Sequence, residues 1–102
     1  MTEPGPPGIR ATVTDPDGVE VVLREERWTH ITGGHPELGR LESAVLRAVS
    51  SPTKRLTGRS SDESWFYLDL GRRAPARWLK VVVLYGQQDG WIVTAFLRRS
   101  MP

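Results

Sequence analysis

The segment from Trp78 to Arg98, WLKVVVLYGQQDGWIVTAFLR, constrains the fold more than any other part of the chain. Two runs rich in β-branched and aromatic residues flank Gly86-Gln87-Gln88-Asp89-Gly90, and that pattern predicts a β-hairpin. If all five residues are loop, Tyr85 faces Trp91, Val83 faces Val93, Val81 faces Ala95 and Leu79 faces Leu97. This face is wholly apolar and must be covered. The other face then carries Trp78, Lys80, Val82, Leu84, Ile92, Thr94, Phe96 and Arg98. A slip of one residue would put Lys80 and Thr94 on different sides and destroy the apolar surface.

The period of two persists upstream. It predicts four strands, about 53 to 59, 64 to 70, 77 to 85 and 91 to 98. Phe66, Leu68 and Leu70 should point inward, leaving Trp65, Tyr67 and Asp69 on the open face. With Leu56 inward, Arg55, Thr57 and Arg59 join that open face. Cations at Arg55, Arg59, Lys80 and Arg98 are thus expected among the rings of Trp65, Tyr67 and Trp78.

Before residue 53 the period is helical. A short helix is expected from Glu25, with Glu25 and Glu26 favouring its positive end, Trp28 and Ile31 on one face, and Gly33-Gly34 as a left-handed stop. A second helix should open at Pro36, where the missing N–H is harmless, and bury Leu38, Leu41, Val45, Ala48 and Val49. Ahead of both, IRATVTDPDGVEVVL reads as two short β segments around the turn residues Asp15-Pro16-Asp17-Gly18. The expected architecture is α+β: two N-terminal helices packed on one face of a four-stranded antiparallel sheet, with five or six strands if the N-terminal arm joins it. The 102 residues are enough for one core, divided into a disordered tail (1–8), a β arm (9–24) and the α+β domain (25–99).

Charge narrows the partner. Residues 1 to 50 carry five Lys/Arg against eight Asp/Glu, and residues 51 to 102 carry nine against four. The second half, which holds the strands, suits a polyanion. The absence of cysteine rules out disulfides, thiolate metal sites and a cysteine nucleophile. No apolar run is long enough to span a bilayer and the amino terminus lacks a signal pattern, so a cytoplasmic protein without membrane association is expected.

The two histidines lie in RWTHITGGHPE, at His30 and His35. They are not a zincin pair. Their spacing is five rather than four, and two glycines separate them, so with Glu37 they do not make a metal site and no metal or cofactor is expected. Gly33-Gly34 lacks the rest of a phosphate-binding loop, and the serine pairs Ser50-Ser51 and Ser60-Ser61 read as cap and turn residues. His35, just before Pro36, stands where a helix cap would, with phosphate contact as its alternative role.

Taken in order, Arg27-Trp28, His30-Ile31, then His35-Pro36-Glu37-Leu38, then Lys80-Val81-Val82-Val83 with Tyr85, and Trp91-Ile92-Val93-Thr94-Ala95-Phe96 resemble the phage-associated branch of the barnase, EndoU, colicin and RelE (BECR) ribonuclease superfamily. The resemblance covers about residues 20 to 98. It implies helices followed by a four-stranded antiparallel sheet, metal-independent RNA cleavage of toxin type, and a protein inhibitor such as an antitoxin or immunity protein. By position it assigns His30, Thr94 and either Arg59 or Arg55 to the site.

The chemistry can be set out independently. Cleaving RNA without a metal requires a base for the 2′-OH proton, an acid for the leaving 5′-oxygen, and donors around the charged phosphorane. His30 is the expected proton-transfer residue. Arg59 would stabilise charge, and Thr94 and Tyr67 would donate to phosphate oxygens. Arg55, Lys80, Arg98, Trp65 and His35 would bind substrate. Asp69 is the best acid on the open face, or else an ion-pair partner for Arg55 or Arg59. Two alternatives remain at this stage: a non-catalytic RNA- or protein-binding module of the same fold, and a homodimer that closes an exposed sheet edge.

Overall fold

The run Val21-Val22-Leu23 decides the topology. All three side chains are buried, two of them in the main core, and such a run needs neighbours on both sides and cover on both faces. The computed structural model, which describes residues 8–101, supplies them. In chain order the elements are β1 (Ile9–Thr14), β2 (Glu20–Arg24), α1 (Glu25–Gly34), a 3-10 helix (Pro36–Arg40), α2 (Glu42–Ser50), β3 (Lys54–Thr57), β4 (Glu63–Asp69), β5 (Trp78–Tyr85) and β6 (Gly90–Arg98). They form one six-stranded sheet ordered β1-β2-β6-β5-β4-β3. β2 runs parallel to β6, and every other pairing is antiparallel.

The expected architecture is therefore corrected. The helices are not N-terminal but follow two strands, and the sheet is mixed rather than a four-stranded antiparallel one. The arm is an integral part of the sheet because β2 is an interior strand between β1 and β6. Of the expected disordered tail, residues 1–7 lie outside the described residues; Gly8, at φ +85, uses its carbonyl to accept the Glu25 N–H at 2.7 Å. No helix of the described residues is long and apolar enough to cross a membrane.

The β5–β6 hairpin keeps the expected register from Trp78↔Arg98 to Val82↔Thr94 and then departs from it. Beyond that point Val83 pairs with Ile92 and Leu84 with Trp91, so Val93 is the extra residue of a β-bulge. Ile92, expected outside, is buried in the core, and Trp91, expected inside opposite Tyr85, turns to the open face. Opposite Tyr85 stands Gly90, where an added Cβ would meet the Tyr85 ring at 2.9 Å.

On the helix face, Trp28 and Ile31 of α1, Leu38 of the 3-10 helix, and Val45, Ala48 and Val49 of α2 pack against Phe66, Leu68, Leu79, Val81, Val83, Ile92 and Ala95. Each fully buried Val, Leu, Ile or Phe side chain among them contributes roughly 1.5–3 kcal/mol. The anticipated single second helix is split at Leu41 (φ −115, ψ 20). Gly33 and Gly34 lie inside α1 without positive φ, so they are no left-handed stop; His35, at φ −134, closes α1 by donating its N–H to the Ile31 carbonyl at 2.8 Å. Arg10 of β1 clamps the hairpin to both α-helix starts, donating to Glu42 at 2.7 and 2.9 Å and to Glu25 at 3.1 Å.

Candidate nucleic-acid interface

β3 is inverted relative to expectation. Its register pairs Lys54 with Tyr67, Arg55 with Phe66 and Leu56 with Trp65, so Arg55 belongs to the helix face and Leu56 to the open one. An edge strand tolerates this because an arginine can lay its hydrocarbon stem on apolar surface and keep its head among partners. The Arg55 guanidinium sits 4.8 Å over the Phe66 ring, binds Asp17 at 2.6 Å and donates to the Tyr85 hydroxyl at 3.2 Å. Tyr85 in turn donates to Asp15 at 2.7 Å, and the same carboxylate accepts the backbone N–H of Asp17 and Val19, each at 2.9 Å. Arg55 thus braces the β1–β2 turn against the opposite edge of the sheet and does not belong to the open face where it was expected.

The open face can be read in rows of paired residues. Asp69, Trp78 and Arg98 form one row, Lys54, Tyr67, Lys80 and Phe96 the next, and Leu56, Trp65, Val82 and Thr94 a third. A cleft of about 230 Å³ opens over the middle of this surface, lined by Arg59, Glu63, Trp65, Lys80, Val82, Thr94 and Phe96. The structure therefore brings Arg59, Lys80, Thr94 and Trp65 together. A larger groove of about 620 Å³ lies elsewhere, but its walls are mainly Leu41, Leu70, Ala74, Pro75 and Leu97 and offer little chemistry.

Lys80 is the centre of the cleft. Only 7% exposed, it holds its ammonium 3.6 Å above the Trp65 ring, with the centroids of Phe96 and Tyr67 at 5.5 and 5.8 Å. Among the described residues no carboxylate stands within ion-pair distance of it. Burial pushes its pKa below the usual lysine range; Arg98 and Arg59 push the same way, and Glu63 opposes them.

Glu63 is the residue sequence reasoning missed. One of its oxygens accepts Trp65 Nε1–H at 2.7 Å and the Arg59 backbone N–H at 3.1 Å, so it fixes the indole that roofs Lys80. The signal was present, since Glu63 precedes Trp65 by two residues on the same face of a strand.

The remaining candidates are scattered. His35 stands at the rim, its ring 6.1 Å from that of Phe96 and its Nδ1 3.6 Å from Glu37, and its side chain forms no capping hydrogen bond. His30 is exposed on α1, and among the described residues no hydrogen bond, ion pair or ring contact ties it to the cleft. Tyr67 is fully buried and its hydroxyl has no hydrogen-bond partner among the described residues, so it is not presented to a phosphate; burial pushes its pKa up while Arg98 pulls it down. Arg98 pairs with Trp78 at the far end of the face. Asp69 binds Arg77, at 3.0 and 2.8 Å, rather than Arg55 or Arg59. Among the described residues no three His, Asp or Glu side chains are grouped to hold a metal ion. Comparisons with protein-family models, with curated proteins and with solved structures returned no match.

Proposed function

We propose that the chain is a metal-independent endoribonuclease of the BECR type, acting at the Lys80 cleft. The observation that carries this reading is the unpaired buried ammonium of Lys80 beside Arg59 and Thr94. A buried charge without a counter-ion costs several kcal/mol, and groups perturbed in this way by burial inside a cleft cluster at functional sites. A substrate phosphate supplies the missing anion.

In the proposed reaction the 2′-OH loses its proton to a base and its oxygen bonds to phosphorus, while the P–O5′ bond breaks and the 5′-oxygen takes a proton. The products are a 2′,3′-cyclic phosphate and a 5′-hydroxyl. Lys80 and Arg59 neutralise the phosphorane and Thr94 donates a hydrogen bond to it. Glu63, the carboxylate in the cleft lining, is the base; His35, whose ring lies 6.1 Å from that of the cleft residue Phe96, is the preferred acid. His30 stays in the test as the residue to which the sequence resemblance points.

A binding module on the same surface is the second reading, and one observation favours it: Glu63 is already engaged with Trp65 and Arg59. Incubation of the protein with RNA in EDTA separates the two. The nuclease reading expects product with a cyclic phosphate end, and loss of most activity in His35→Ala, with His30→Ala as the comparison. Salt-sensitive binding without product would overturn it in favour of the module.

A further inference from the structure

The one large apolar side chain exposed among the described residues is Trp91, at 38%. The bulge at Val93 puts it there. Paired with Leu84, which pairs in turn with Glu63, Trp91 sits on the open face one row beyond Trp65, Val82 and Thr94. At the other end of the same face Trp78 lies between Asp69 and Arg98, and Arg77, held by Asp69, is 5.0 Å over its ring. Successive rows are two residues apart along the strands, so the Trp91 and Trp78 rows are separated by three steps, about 20 Å. The Lys80 cleft lies between them.

Building on the ribonuclease reading, we propose that Trp91 and the Trp78–Arg98 pair are stacking subsites at the two ends of the cleft, and that the substrate is an unpaired RNA strand of about four nucleotides lying along the β-strand direction. Unpaired bases offer a face to an indole ring, whereas bases inside a duplex are stacked on one another. Trp91 shares its row with Val22, Leu84 and Glu63 and has no cation there, so it works by stacking and not by neutralising phosphate. That distinguishes it from Arg59 and Lys80, and it gives an apolar ring on the surface a reason to be there.

The test is fluorescence anisotropy with a labelled, unstructured RNA dodecamer and with the duplex of the same sequence, at low and moderate salt. Trp91→Ala is expected to weaken dodecamer binding about tenfold at both salt concentrations, and Trp91→Phe to weaken it less. The duplex should bind the unaltered protein more weakly than the single strand. Dodecamer binding by Trp91→Ala as tight as that of the unaltered protein overturns the subsite and leaves Trp91 to a protein partner; equal binding of duplex and single strand overturns the choice of unpaired RNA. When the unaltered protein still cleaves RNA, either result removes only this inference. If it neither binds nor cleaves the dodecamer, the ribonuclease reading falls and the subsite falls with it.

Discussion

Among the described residues two charged side chains are buried, one on each side of the sheet, and their surroundings differ in kind. Asp15, its side chain 0% exposed, has every partner a carboxylate can use: the Tyr85 hydroxyl, two backbone N–H groups and the nearby Arg55 guanidinium at 3.6 Å. Lys80 has aromatic rings and, among the described residues, no carboxylate within ion-pair distance, Glu63 of the same cleft being bound to Trp65 and Arg59. A saturated polar knot holds a fold together, because each member would be left unsatisfied without the others. A buried cation packed against π faces, with no anion in direct contact, gives up stability that a ligand can restore. The difference teaches which of the two to regard as architecture and which as a site.

The largest effect is expected on removing Asp15. Asp15→Ala strands the Tyr85 hydroxyl, two backbone donors and part of the Arg55 charge, and should lower unfolding free energy by about 3 kcal/mol in a urea melt, with RNA cleavage per folded molecule retained. A loss below about 1 kcal/mol would show that the knot is not a brace.

A smaller effect sharpens the other side. Arg59 is exposed at the mouth of the cleft, so Arg59→Ala should leave the melt unchanged, weaken RNA binding a few-fold, and reduce the slope of log K against log salt by about one. An unchanged slope would mean that Arg59 meets no phosphate.

The smallest effect concerns a surface ion pair that belongs to neither side. Arg77 and the Gly71 N–H hold the Asp69 carboxyl down from 3.8 to about 2. A depressed carboxylate contributes stability above its unfolded value and loses it as pH falls through its folded one. Wild type should therefore melt slightly above Asp69→Asn at neutral pH, and the gap should close between about pH 4 and pH 2. A gap that persists at pH 2 would mean the Arg77 pair is not its cause.

Much of the β layer was legible in the residues, because period-two alternation from Phe66 to Asp69 and from Trp78 to Val82 reports which side chains share a face; it did not report that Tyr67 and Lys80 of the open face are buried. What was not legible has identifiable causes. Bulges leave no mark in binary pattern when the inserted residue is apolar, and Val93 among Ile92, Thr94 and Ala95 is such a case. β3 is four residues long, too short for its pattern to overrule an arginine that finds two aspartates from a distant turn. The parallel pairing of β2 with β6 joins segments about seventy residues apart, which local patterning does not encode, although the unbroken Val-Val-Leu run hinted at an interior strand. In the site, alternation was enough to collect Lys80, Thr94 and Trp65, but not the histidines, whose positions depend on how α1 ends.

Lys80→Met gives the most direct test, read as a thermal melt and an RNA cleavage assay on the same sample. The melting temperature should equal or exceed that of the unaltered protein, and cleavage should fall by about a hundredfold or more. A melting temperature lowered as far as that of Asp15→Ala, with cleavage intact, would make Lys80 one more piece of architecture and contradict the assignment of the cleft.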